Sequence, residues 1–159
     1  MAHTYTAKVE WLRNGQDFGS NKYSRGHTWS FDGGITVAGS SAPNALPPPL
    51  SREDAIDPEE ALVASASACH MLFFLALAAK KGFVVDRYVD DAVGEMTKNE
   101  RGKLYVSKVT LRPAITYSGD KRPTADDIHA LHHRAHDECY IANSIRAEVV
   151  IADLPPSFA

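Results

Sequence analysis

Residues 61–79, ALVASASACHMLFFLALAA, run through nineteen consecutive positions without a formal charge. That is close to the ~20 residues that cross a bilayer, so a chain carrying it must hold it in a membrane or bury it in its own core. The composition favours a core. The first half is alanine and serine with His70 at its centre, and only residues 71–77 are strongly apolar. The flanks carry helix boundaries: Asp57 can cap, Pro58 suits the first helical position, and Glu60 completes a capping box. At the other end Lys80 and Lys81 suit the negative pole of the helix dipole, and Gly82 fits the C′ position. The expectation is a soluble, fully buried helix of roughly 23 residues rather than a membrane span.

The remaining residues supply strands to surround it. Tyr5, Ala7, Val9 and Trp11 alternate with polar residues, residues 27–31 form a second strand, and Asp32-Gly33-Gly34 turns into a third at 35–38. Residues 39–56, with Pro43 and the run Pro47-Pro48-Pro49, make a stiff, extended loop. Beyond the helix, residues 88–97 and 104–117 read as a second hairpin. Thr124 and Asp127 open a second helix, and residues 146–151 alternate as a last strand. The order is βββ-α-ββ-α-β, an α+β fold in which antiparallel sheets pack on a long central helix. A chain of 159 residues, 44% hydrophobic and 23% charged, is expected to form one domain over 1–159 without disulfide staples or structural metal. Its net charge of −3, with no basic block, argues against a nucleic-acid partner. The first residues lack the charged-then-apolar run of a signal peptide, so a cytoplasmic location is expected. One sheet and one amphipathic helix cannot readily cover a helix that is apolar on nearly all faces. An intimate homodimer is the simplest solution, with hairpins wrapping the helix within one subunit as the alternative.

The chain has two cysteines, Cys69 and Cys139. Their spacing matches no zinc pattern, and composition leaves them as two buried small side chains or a redox pair. Cys69 lies about three turns into the long helix. An unperturbed thiol with a pKa of ~8.5 is mostly protonated at neutral pH, and burial disfavours the thiolate further. The helix dipole fades within its first turn, so a reactive Cys69 requires a cation from elsewhere in the fold.

The stretch Asp57-Pro-Glu-Glu-Ala-Leu-Val-Ala-Ser-Ala-Ser-Ala-Cys69-His resembles the N-P-E-E/Q-L-x-x-A-x-x-A-C helix of the OsmC/Ohr family, the osmotically inducible and organic hydroperoxide resistance proteins. Residues 135–144, from Ala135-His136-Asp137-Glu138-Cys139 through Asn143-Ser144, resemble that family's second motif, A-H-x-x-C-P-x-S/N. Asp57 stands where the pattern has Asn and keeps the capping chemistry. Tyr140 stands where it has Pro and leaves the backbone after Cys139 less restricted. The resemblance covers essentially the whole chain. It implies an intertwined homodimer with active sites at the interface and a cysteine-based peroxidase reducing organic hydroperoxides. Cys69 would form a sulfenate, Cys139 would resolve it as a disulfide, and a dithiol reductant, a lipoyl group among the candidates, would reopen it. No cofactor or metal is implied.

The family also uses an arginine held by a glutamate. Glu59 occupies the glutamate position ten residues before Cys69, a rise of ~15 Å, so it can only orient a third group. By itself a first-turn carboxylate is also explained by the helix dipole. Arg25, just before the second strand, is favoured as the arginine over Arg52, which neighbours Glu53 and Asp54. His70 departs from the pattern and is either a hydrogen-bonded core residue or part of a pocket wall. The pairs His129/His133 and His132/His136 have metal-chelating spacing but point in different directions, and a solvated helix face explains most of them. Two alternatives to the peroxidase stay open: an OsmC-fold redox sensor or small-molecule binder without turnover, and a histidine-dependent metal protein.

Overall fold

The computed structural model describes residues 2–152 and 154–159. The chain divides into two compact units, Met1–Ala61 and Leu62–Ala159, with the division falling in the first turn of the long helix.

The N-terminal unit is an antiparallel meander of β1 (Ala7–Glu10), β2 (His27–Phe31) and β3 (Thr36–Gly39). Val9 stands opposite Trp29 and Trp29 opposite Val37, so one face of the sheet is apolar while Lys8, Ser30 and Thr36 alternate onto the other. The first strand is shorter than its alternation suggests, and Tyr5 lies outside it. The proline-rich loop returns to this sheet. Ser40 N–H donates to the Ile56 carbonyl at 3.1 Å, and Ile56 N–H donates to that of Ala38 at 3.0 Å. Gly39 is required at this crossing, because a Cβ there would lie 2.5 Å from His27 Nε2.

The helix α1 (Pro58–Lys80) has the expected length and caps. Glu60 N–H donates to Asp57 Oδ1 at 2.8 Å, and Asp57 N–H returns to Glu60 Oε2 at 3.3 Å. At the far end Phe83 N–H reaches the Ala78 carbonyl and Gly82 N–H that of Ala79. This is a Schellman closure, with Gly82 at φ 77°. Full burial of this helix is not met within one chain. Ala66, His70, Phe74 and Ala78 form a buried stripe, but Ala64, Ala68, Leu72 and Ala76 face outward and Leu72 is 64% exposed. The sheets and second helix of the unit supply side chains to the buried stripe and leave the opposite one uncovered.

The second hairpin also differs from expectation. It forms four strands rather than two: β4 (Val84–Asp90), β5 (Val93–Lys98), β6 (Leu104–Leu111) and β7 (Pro113–Ser118). β5 pairs with β6 and β4 with β7, in separate sheets. The break has a local cause. Asp90 Oδ1 accepts the backbone N–H of Arg112 at 2.6 Å where a ladder bond would otherwise form, and Pro113 begins the next strand without a donor. Asp90 Oδ2 accepts the Ser67 hydroxyl at 2.5 Å, tying this corner to α1. The second helix, α2 (Ala125–Glu138), opens with the expected Thr124–Asp127 capping box. It is followed by β8 (Glu148–Ile151) and β9 (Ser157–Phe158), the latter not anticipated. β8 joins β6 and β9 joins β7, both parallel, so the sheets β5-β6-β8 and β4-β7-β9 are mixed rather than purely antiparallel. The observed order is βββ-α-ββββ-α-ββ, within the α+β class.

The buried stripe of α1 serves two cores. Ala66 packs with Val109, Leu111 and Ala147, and Phe74 and Ala78 pack with Ile115, Tyr117, Leu131 and Ala135. Phe74 is wholly buried, so Phe74→Ala is expected to cost about 3–5 kcal/mol in urea unfolding.

Candidate active site

The two cysteines meet in the C-terminal unit. Cys69 sits half-buried on α1, and Cys139, 1% exposed, is the C-cap of α2. Both are free thiols, and Cys69 is near enough to Cys139 to act on its protonation. Burial pushes the Cys139 thiol up. A hydrogen bond from Ala142 N–H to its sulfur, at 3.4 Å, opposes this, and the nearby Cys69 thiol pushes it up further.

Several bonds hold Cys139 in place. Its N–H donates to the His136 carbonyl at 3.2 Å, and Asn143 Nδ2 bridges the carbonyls of Asp137 and Cys139 at 2.9 and 3.0 Å. Tyr140, in the position where a proline would stiffen the backbone, instead meets Phe73 of α1 edge to face, with ring centroids 5.1 Å apart.

His70 lies on the buried stripe of α1, 1% exposed, with Nε2 3.0 Å from Nδ1 of His132 on α2. The two rings are nearly parallel at 5.3 Å, and His132 also lies against Phe74 at 4.4 Å. His70 is therefore a hydrogen-bonded core residue. Among the described residues its Nδ1 has no hydrogen-bond partner, and neither does the buried Nδ1 of His136. If His70 Nδ1 carried a proton, a buried donor would be orphaned. The less costly tautomer protonates Nε2, which donates to His132 Nδ1. Sequence spacing paired His132 with His136 and gave no sign of His70 as its partner. The seven-residue step from His132 to Cys139, two helical turns, is the signal that could have drawn attention to it.

The other predicted site residues lie in the N-terminal unit. Arg25 stacks over the Tyr23 ring at 3.7 Å, and its guanidinium donates to the Tyr23 carbonyl and to Asn21 Oδ1. Its backbone is fixed as well, with N–H to the Leu50 carbonyl at 2.7 Å and carbonyl 2.7 Å from His27 Nδ1. Arg25 also borders an apolar cavity of about 420 Å³ lined by Val9, Trp11, Phe18, Tyr23 and His27. Glu59 is half-buried in the first turn of α1, and no ion pair joins it to Arg25 among the described residues. Arg52 is held by Asp54 through bonds of 3.0 and 2.8 Å, as its sequence neighbours suggested. That contact keeps the exposed Asp54 carboxyl below the usual range. His133 pairs on the surface with Asp137 at 3.3 Å. No group of three or more His, Cys, Asp or Glu with metal-holding geometry occurs among the described residues.

Burial lowers the His70 pKa from 6.5 to about 4. His132 and His136 on α2 add to the shift, and Asp90 at the end of β4 opposes it. The unfolded chain therefore binds a proton that the folded chain refuses between about pH 6.5 and 4. The stability this contributes is complete above that window and is lost as pH falls through it, by up to about 3 kcal/mol. Urea unfolding across pH 7 to 4 should show this slope, and His70→Gln, which cannot titrate, should flatten it.

Residues 51–152 match the family model described as OsmC-like protein. No curated protein matches the sequence. Among solved structures, an OsmC-like protein of unknown function from Vibrio cholerae is 47% identical and superposes with a TM-score of 0.94, over 96% of this chain and 100% of that one. An organic hydroperoxide resistance protein from Elizabethkingia anophelis shares the fold at 16% identity and a TM-score of 0.68, over 100% of this chain and 97% of that one. The organic hydroperoxide resistance protein OhrB of Bacillus subtilis does so at 16% identity and 0.61, over 99% of this chain and 98% of that one. The uncharged run is the helix on which both cores of the C-terminal unit pack, and the chain belongs to the OsmC-like protein family.

Proposed function

We propose that this chain is a cytoplasmic, thiol-dependent peroxidase that reduces organic hydroperoxides, working as a single-domain homodimer. The observation that carries the proposal is the pair of free thiols, seventy residues apart in sequence and near enough at the junction of two helices for one to act on the other's protonation. The names of the fold relatives from Elizabethkingia anophelis and Bacillus subtilis support the same substrate class.

In this scheme the Cys69 thiolate attacks the terminal oxygen of the hydroperoxide. The S–O bond forms as the O–O bond breaks, and the departing alkoxide takes a proton to become an alcohol. Cys139 then attacks the sulfenate sulfur, giving the disulfide and releasing water, and a dithiol such as a lipoyl group restores both thiols as it is itself oxidised. The half-buried Cys69 is the more accessible of the two, which suits first contact with peroxide, while burial and the raised pKa of Cys139 disfavour its own direct reaction with peroxide. By the family resemblance, Arg25 would be the cation for the thiolate and the leaving oxygen, with Glu59 orienting it.

The hydrogen bonds of Arg25 to Tyr23 and Asn21 favour a second reading, a redox sensor that forms the disulfide without turnover. Consumption of cumene hydroperoxide with dihydrolipoamide separates the two. Turnover should be lost in Cys69→Ser, and Cys139→Ser should stop after one equivalent. Wild-type rates in Cys69→Ser would overturn the proposal.

The uncovered stripe Ala64, Ala68, Leu72 and Ala76 supports the homodimer, since small residues let a second copy approach closely. Light scattering should give twice the 17.3 kDa chain mass, and Leu72→Asp should return it to that of one chain.

A further inference from the structure

Between α1 and α2 runs a partly buried polar link, His70 Nε2 to His132 Nδ1 at 3.0 Å, while Lys81 at the end of α1 pairs with Asp127 of α2 at 3.6 Å on the surface. Each of its histidines shares a helix with one of the thiols. His70 follows Cys69 on α1, and His132 precedes Cys139 by seven residues. Seven residues are two turns of α-helix, so His132 and Cys139 project from α2 within about 20° of each other. The stacking of the rings and the contact of His132 with Phe74 leave the link little freedom to slide.

The geometry points to His70 and His132 as positioning residues for the cysteine pair: their hydrogen bond fixes the approach of the two cysteine-bearing helices and so sets the effective concentration of one thiol for the other. It rests on the proposed Cys69–Cys139 disulfide and adds to it the residues that control how readily that bond forms. Neither histidine needs to touch peroxide or sulfur to act in this way. Their leverage is that a disulfide tolerates only a narrow separation of its alpha carbons, about 4.4–6.8 Å, so a small loosening of α2 on α1 carries the pair out of range.

The test is the exchange equilibrium with glutathione. Cys69 and Cys139 give up two electrons and two protons to glutathione disulfide, forming one protein disulfide and two glutathione thiols. Alkylation after equilibration at pH 7 reads the constant. His132→Leu keeps an apolar side chain against Phe74 but has no acceptor, and should lower the constant about fivefold to tenfold, the weight of one buried hydrogen bond. His132→Asn puts an amide oxygen near the position of the accepting Nδ1 and should restore it to within about twofold. A merely space-filling role predicts the opposite ranking. A constant unchanged in His132→Leu, or as low in His132→Asn as in His132→Leu, overturns the inference.

A second measurement needs no substitution. If the clamp favours the disulfide, the disulfide must favour the neutral, hydrogen-bonded clamp to the same extent. Imidazole NMR of the wild-type protein should then show His70, whose titratable neighbours are His132, His136 and Asp90, titrating at lower pH in the oxidised than in the reduced state. Identical titration in the two states overturns the inference. Peroxide enters neither measurement, so failure of the clamp and failure of hydroperoxide turnover are read separately.

Discussion

The hydrogen bond between His70 and His132 answers a demand created by the burial of one helical stripe. Ala66, Phe74 and Ala78 are satisfied by apolar neighbours, but the imidazole between them is not. A buried donor without an acceptor costs about 1–3 kcal/mol, a large share of the stability of a domain this size. The acceptor that meets this demand is on α2, so the polar exception in an apolar helix selects where the second helix lies. Cys139, at the end of that second helix, is brought to Cys69 as a consequence of the same placement.

Asp90 plays a comparable part for the sheets. One oxygen replaces a ladder bond at Arg112 and the other takes the Ser67 hydroxyl, so the carboxylate both divides a long strand pair into two sheets and fastens the division to α1. The two halves of the hairpin then serve different halves of the helix, Val109 and Leu111 against Ala66, Ile115 and Tyr117 against Phe74 and Ala78.

The parts of the fold legible in the sequence were those set by local chemistry. Asp57 and Glu60, Gly82, and Thr124 with Asp127 mark helix ends through bonds spanning three to five residues, and all form as their spacing indicates. The proximity of Cys69 and Cys139 was legible only through resemblance to a family, since no local rule joins residues so far apart. The role of Asp90 was hidden because a carboxylate within a strand pattern reads as a solvent-facing residue until its partners Ser67 and Arg112 are known. The parallel partners β8 and β9 were hidden for the same reason: pairing at a separation of forty residues leaves no mark on either strand alone. Helix spacing identified the histidines of α2 but grouped them along their own helix, whereas the bond that His132 makes to His70 crosses to another.

Those parallel pairings bear on the order of events in the life of the chain. Neither sheet of the C-terminal unit is complete until residues 148–158 have been made, because β8 and β9 each add the third strand after the chain has passed through α2. A nascent chain that has emerged only through α1 holds Cys69 on an apolar helix with neither His132, the partner of His70, nor its companion thiol yet synthesised. During that interval the thiol is open to other chemistry, and its pairing with Cys139 becomes available only once α2 has been made.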